Sequence, residues 1–165
     1  NRTLFSDRLS TALTVCKRNQ SKLAMLFLDL DNLKTINDVN GHSAGDTLLV
    51  EVAERMQNCL RGSDTVARIG GDEFTVLLPD VGRVEDVMNV AEKIRAAMTA
   101  PIDVDGYTLS TTVSIGVAIF PDHGLNATDL MNNADIAMYA AKDRGRNTIV
   151  MYGDHTVNVV HKDLI

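Results

Sequence analysis

Apolar residues along the chain fall into helical and strand-like patterns that alternate with polar breaks. Phe5, Leu9, Leu13 and Cys16 share one helical face and predict an N-terminal helix over residues 3–18. Residues 23–28 form an unbroken apolar run, short enough for a strand buried on both faces. Ala44, Leu48, Val52, Met56 and Leu60 repeat every fourth residue, which predicts a long amphipathic helix over 43–60. Two further apolar runs flank Gly70-Gly71 and read as strands over 66–70 and 72–78, closed by Pro79-Asp80. The glycines are expected to form a tight two-residue reversal at positive φ. Val84, Val87, Ala91, Ile94 and Met98 predict a helix over 83–99, and Asp105-Gly106 the turn of a second, short hairpin. Val113, Ile115, Val117 and Ile119 alternate strictly, the pattern of a strand with one buried face. Leu130, Ala134, Ala137 and Ala141 predict a last helix, and residues 148–152 a last strand.

From residue 22 to 120 the order is β-α-β-β-α-β, the split βαβ or ferredoxin-like arrangement of an α+β domain. The expected core is a central antiparallel sheet flanked by helices, with the short hairpin, the C-terminal helix and the final strand added. A right-handed crossover makes the first two strands of that core parallel, with the third antiparallel between them. The C-terminal end of the first strand then lies beside the start of the third. The first ends in Asp29-Leu30-Asp31 and the third begins with Asp72-Glu73, so two acidic clusters should face each other at one sheet edge.

A length of 165 residues suits one domain with a real core, expected over 1–152, with 153–165 as a tail or linker. A net charge of −6 argues against a nucleic-acid footprint or direct contact with an anionic membrane, yet leaves room for a nucleotide ligand. Cys16 and Cys59 are too few for a disulfide or zinc framework and read as small buried hydrophobes on helices. No apolar run approaches the length of a membrane span and no signal peptide is evident, so a cytoplasmic domain is expected. A chain starting at Asn1 without an initiator Met reads as a piece of a longer protein, whose remainder could be membrane-anchored.

Carboxylates gathered at a sheet edge repel unless one holds a proton or a divalent cation neutralises them. All-oxygen donors without nearby His or Cys suit Mg²⁺ or Mn²⁺, and Mg²⁺ commonly shares its shell with substrate phosphates. Lys34, Asn37, Asp38, His42 and Asp46 follow in a polar segment. Gly41 and Gly45 bracket the start of the predicted 43–60 helix, whose first amides could receive an anion. Asn37 and Asp46 offer the acceptor and donor groups that a guanine edge requires, or are a turn former and a surface acid. His42 reads most simply as a hydrogen-bonded structural residue. Lys142, Arg144 and Arg146 around Gly145 are either a basic helix C-cap or phosphate-binding cations.

Four stretches together carry a specific resemblance. They are Asp29-Leu30-Asp31-Asn32-Leu33-Lys34-x-x-Asn37-Asp38-x-x-Gly41-His42-x-x-Gly45-Asp46, Arg68-Ile69-Gly70-Gly71-Asp72-Glu73-Phe74, Ser114-Ile115-Gly116-Val117-Ala118, and the run from Ala134-Asp135 through Ala137-Met138-Tyr139 and Ala141-Lys142 to Gly145-Arg146-Asn147. In this order and spacing the chain resembles the GGDEF domain of diguanylate cyclases, whose fold is of the nucleotidyl-cyclase, palm-like kind. Only Leu33 departs within the motifs, standing where Phe is commonest.

The resemblance implies condensation of two GTP into cyclic di-GMP with release of two pyrophosphates, each of two facing domains holding one GTP. By position, Asp29, the Leu30 carbonyl and Asp72 would bind Mg²⁺ or Mn²⁺, two ions per site. Asn37 and Asp46 would read guanine with His42 nearby. The Asn32 and Leu33 backbone, Lys34, Lys142 and Arg146 would hold phosphates, with Asp72 as proton acceptor beside Glu73. Arg61 and Asp64, otherwise a charged turn before a strand, match an inhibitory site for the cyclic di-GMP product. Lys93 stands where the second basic residue of that site is often Arg, which implies a weaker secondary contact. An upstream sensory domain, a second GGDEF domain for turnover and a downstream EAL phosphodiesterase domain are the implied partners. The alternative is a catalytically silent domain that binds GTP or cyclic di-GMP and regulates an attached EAL domain.

Overall fold

The computed structural model describes residues 1–153. The chain runs α1 (Arg2–Asn19), β1 (Lys22–Leu30), α2 (Leu33–Asn40), α3 (His42–Asn58), β2 (Thr65–Arg68), β3 (Glu73–Val81) and α4 (Val84–Met98). It continues through β4 (Ile102–Val104), β5 (Tyr107–Leu109), β6 (Val113–Phe120), α5 (Ala127–Asp143) and β7 (Ile149–Met151). Residues 154–165, nearly all of the expected tail, lie outside the described residues.

The main sheet has the order β2-β3-β1-β6-β7, while β4 and β5 pair as a separate hairpin. β3 lies antiparallel between the parallel pair β1 and β2, and only β7 joins its neighbour β6 in parallel. The expected ferredoxin-like core is therefore present. β1 sits at its centre because it is apolar on both faces. Ala24, Leu26, Leu28 and Leu30 face the layer of α3 and α4, and Leu23, Met25 and Phe27 face α1 and α5. Odd-numbered residues of β1 thus point to the α5 side, which puts Asp29 on that side as well.

Three expectations change. The polar segment after Asp31, for which no element was expected, forms the short helix α2 over residues 33–40, which buries Leu33 and Ile36 against α3. β6 is buried on both faces rather than one, since Ser114, Gly116 and Ala118 carry side chains small enough for α5 to lie directly on them. The Gly70-Gly71 turn is wider than expected, with β2 ending at Arg68, β3 starting at Glu73, and neither glycine at positive φ. The Arg68 guanidinium closes this loop by donating to the carbonyls of Gly70 and Gly71 at 2.9–3.1 Å. Cys16 is buried as expected. Cys59 is only half-buried and caps α3 rather than lying on it. Among the described residues no helix is long and apolar enough to cross a membrane.

Candidate active site

The antiparallel register sets Asp29 directly opposite Glu73 on β3 and Ser114 on β6. Just beyond the paired residues, the Leu30 amide donates to the Asp72 carbonyl at 3.0 Å and the Asp31 amide to the Thr112 carbonyl at 3.0 Å. The first bond ties the two acidic clusters together at one edge, as the topology predicted, and the second ties that edge to the segment before β6.

The two aspartates of the Asp29-Leu30-Asp31 run are treated differently by the fold. Asp29 Oδ1 is buried and receives no hydrogen bond. Burial, opposed by the charge of Lys142 and reinforced by the Asp72 and Glu73 carboxylates, pushes the Asp29 carboxyl up to about 7. Asp31 is saturated with donors. Its Oδ1 accepts from the Ser114 hydroxyl at 2.6 Å and Lys142 Nζ at 3.2 Å, while its Oδ2 accepts from the Thr112 hydroxyl and, at 3.1 Å, the Asn147 amide. Burial opposes ionisation there, but these hydrogen bonds and the Lys142 charge outweigh it and hold the carboxyl below the usual range.

Lys142 reaches this edge from the last turn of α5. Its Nζ lies 3.5 Å from Asp29 Oδ2 and 3.4 Å from the Leu30 carbonyl. Arg146 donates to the Asp31 carbonyl at 2.8 Å. A donor-free Oδ1 on Asp29, a raised pKa and an ammonium drawn toward its other oxygen and the Leu30 carbonyl mark a place short of positive charge. Asp29, Asp72 and the Leu30 carbonyl are hard oxygen donors that fit Mg²⁺ or Mn²⁺. They make only part of a shell: among the described residues no three His, Cys, Asp or Glu side chains gather as a closed metal cluster. An open shell suits a cation that keeps waters or takes phosphate oxygens.

The remaining candidates lie around this edge. α2 begins immediately after it, and the first amides of α2, at Leu33 and Lys34, have no partner within the helix. The helix N-terminus that lies beside the acids is thus that of α2, a helix absent from the expected elements. The Asn32 side chain is otherwise engaged, donating to the Ser110 carbonyl and accepting from the Thr111 hydroxyl. Asn37 lies across Gly45: a Cβ there would meet Asn37 Oδ1 at 1.8 Å, so glycine is what lets the amide rest against the first turn of α3. Asp46 in turn lines an open groove of about 440 Å³ with Leu49, Val50, Ala53, Arg68 and Phe74. Lys34 and His42 are exposed.

Arg61 and Asp64 sit apart, lining a pocket of about 80 Å³ between β3 and α4. The Arg61 amide donates to Asp64 Oδ2 at 2.8 Å, and Arg61 is exposed. Lys93 is exposed on α4 and is not part of that lining; its charge is felt at Cys59 instead.

The family model described as "Diguanylate cyclase, GGDEF domain" matches residues 1–148. The chain belongs to this family. The GGDEF domain is 47% identical over 149 residues to the diguanylate cyclase TpbB of Pseudomonas aeruginosa, covering 90% of this chain and 34% of the relative. It is 45% identical over 147 residues to MucR of the same organism, a bifunctional diguanylate cyclase/cyclic di-GMP phosphodiesterase, covering 89% of this chain and 21% of MucR. This chain therefore spans about a third or less of the length of these relatives. The crystal structure of the TpbB GGDEF domain superposes with a TM-score of 0.90 at 46% identity, covering 92% of this chain and 95% of that one. The GGDEF domain of DgcB from Caulobacter crescentus, solved in complex with c-di-GMP, gives 0.85 at 28% identity over 92% of this chain and 90% of that one.

Two features of the GGDEF domain site escaped the sequence reading. Asp31 entered it only as part of an acidic run, and Tyr139 only as a motif letter. Tyr139 is half-exposed, and its hydroxyl is held above its usual range by Asp135, by burial and by Glu73, Asp29 and Asp72. Helical spacing alone indicates that Tyr139 shares a face with Lys142, which was the available signal.

The raised Asp29 carboxyl has a thermodynamic consequence. Between its ordinary value of 3.8 and about 7, the folded chain keeps a proton that the unfolded chain releases. Stability from this group therefore falls as pH rises through that window and levels off above it. In chelator, Asp29→Asn should melt a few degrees above the unsubstituted domain at about pH 8, and the gap should narrow toward about pH 5. A gap that does not change with pH would assign Asp29 an ordinary pKa.

Proposed function

We propose that this GGDEF domain is a diguanylate cyclase. Two copies, each holding one GTP, face each other so that each 3′-hydroxyl attacks the α-phosphorus of the partner's nucleotide. The bond from that phosphorus to the bridging oxygen breaks, and pyrophosphate leaves. The observation that best supports the reading is the meeting of Asp29 with the Asp72-Glu73 pair at one sheet edge, where Lys142 and Arg146 also arrive from α5.

Asp29, Asp72 and the Leu30 carbonyl would hold Mg²⁺ or Mn²⁺, in two ions per site. Such cations neutralise phosphate charge and make the attacking hydroxyl more acidic. Asp72, with Glu73 beside it, accepts the hydroxyl proton. Lys142, Arg146, Lys34 and the first amides of α2, near Asn32 and Leu33, hold the phosphates of GTP. Asn37 and Asp46 pair with the guanine edge beside the groove next to α3, with His42 nearby. Arg61 and Asp64 would bind the product as an inhibitor, with Lys93 contributing from outside the pocket; that the DgcB domain was solved in complex with c-di-GMP supports the choice of ligand. The likeness to MucR supports a parent protein with an EAL domain, and sensory input would come from an upstream domain. Because its substrate is GTP, the domain would work in the cytoplasm.

Purified protein incubated with GTP and Mg²⁺ should form cyclic di-GMP at a rate that rises with the square of protein concentration at low concentration. GTP binding without product over the whole range would replace this reading with a silent, GTP-sensing domain.

A further inference from the structure

The Asp29-Leu30-Asp31 run looks like a pair of equivalent acids, and the hydrogen bonds divide it. Asp29 keeps an oxygen with no donor. Asp31 has none to spare, because each of its oxygens already takes two donors and its side chain is 5% exposed. A carboxylate so occupied has no lone pair left for a cation or substrate. What it does hold is the far end of α5.

We propose that Asp31 is a positioning residue for the phosphate-binding side of the site, its carboxylate and carbonyl together fixing Lys142 and the turn that carries Arg146. The inference rests on the GTP reading above. After α5 the chain passes through Gly145, Arg146 and Asn147 at φ 107°, 66° and 46°. Left-handed backbone is sparsely populated by residues with side chains, and two in succession persist only where their surroundings hold them. Asp31 supplies that hold at two points. Its Oδ2 accepts from the Asn147 amide at 3.1 Å, and its carbonyl accepts from the Arg146 guanidinium at 2.8 Å. A second tether comes from α4, where Arg95 donates to Asn147 Oδ1 at 2.9 Å. On the other oxygen, Lys142 is held at 3.2 Å. Asp29 and the Leu30 carbonyl would be the residues to hold a cation. Among the described residues Asp31 is the one partner of Lys142 outside that set, so it would keep the ammonium at this edge.

The four groups facing the carboxylate are all donors. The hydroxyls of Thr112 and Ser114 could reverse to accept from an amide, but Lys142 and the Asn147 amide cannot. An Asn at this position therefore breaks contact with one or the other, whichever way its amide turns.

Binding of GTP with Mg²⁺, measured calorimetrically, tests the assignment. Asp31→Asn should weaken binding about 10- to 100-fold, the size of a lost charge-assisted contact. Ser114→Ala, which removes a donor to the same carboxylate but touches neither Lys142 nor the turn, should change it less than about threefold. In a Lys142→Met background, Asp31→Asn should cost markedly less than it does alone, since part of its effect runs through Lys142. In the unsubstituted domain the Asn147 amide should exchange slowly with solvent although the residue is exposed, which reads the contact even where Asp31→Asn does not fold. Affinity unchanged in Asp31→Asn, an equal loss in Ser114→Ala, or fast exchange at Asn147 would each overturn the proposal while leaving the GTP reading intact. An unsubstituted domain that binds no GTP would remove both.

Discussion

Asp72→Asn should lower cyclic di-GMP formation by about 10³-fold or more while leaving the domain folded and its GTP binding within about tenfold, the loss expected when a group acting mainly in the transition state is removed. Asp72 lies in the loop before β3, and the Leu30 amide holds its carbonyl at 3.0 Å, so the backbone course does not depend on the side chain. Its carboxylate is close enough to Asp29 to share a proton with it and raises the Asp29 pKa. An amide of the same shape removes one charge from that pair and cannot accept the proton of the attacking hydroxyl. Lys142, Arg146, Asn37 and Asp46 are untouched, so substrate affinity should survive better than rate. Parallel measurement of turnover and GTP affinity checks this. Equal losses in both would make Asp72 a ground-state binding residue, and undiminished turnover would remove it from the chemistry.

Gly116→Ala, a change of one methyl group, should destabilise the domain by about 3 kcal/mol or more, a fall in melting temperature of about 6–12 °C. A Cβ on Gly116 would sit 2.1 Å from the Ala134 carbonyl oxygen and 2.2 Å from the Met138 amide nitrogen. Both are backbone atoms of α5, so no rotamer change relieves the clash. The helix would have to move off β6, and Lys142 and Arg146 travel with it. The expectation is therefore double, with weaker GTP binding in whatever fraction remains folded. Thermal melts of Gly116→Ala beside Ala118→Gly, on the same face of β6, separate this overlap from a general loss of packing. A melting temperature for Gly116→Ala within about 2 °C of the unsubstituted domain would mean that α5 retreats at little cost.

β6 shows how the same residues carry two readings. Val113, Ile115, Val117 and Ile119 alternate with Ser114, Gly116 and Ala118. In one dimension small residues between large ones look like a solvent face. In the fold they are the seat for α5, whose Ala134, Ala137 and Ala141 are equally small and fully buried. α2 was hidden for a related reason. It buries only Leu33 and Ile36, too little for a periodic signal, and it is held by α3 rather than by its own pattern. The Gly-Gly turn was placed correctly and described wrongly, because Arg68 rather than positive φ closes it.

The order of apolar runs was enough to determine the ferredoxin-like core, since crossover handedness leaves few ways to arrange β-α-β-β-α-β. That order alone also sets Asp29 beside Asp72 and Glu73 at one sheet edge. Which of the acids would be starved of donors and which saturated was beyond it. Asp31 finds Thr112 just before β6 and Ser114 on it, and Lys142 in the last turn of α5 with Asn147 just after it, more than 80 and 110 residues along the chain. Local spacing specifies where a carboxylate lies on its own strand. Its charge state and its work depend on the groups that distant segments aim at it, and only the packed sheet and helix bring those together.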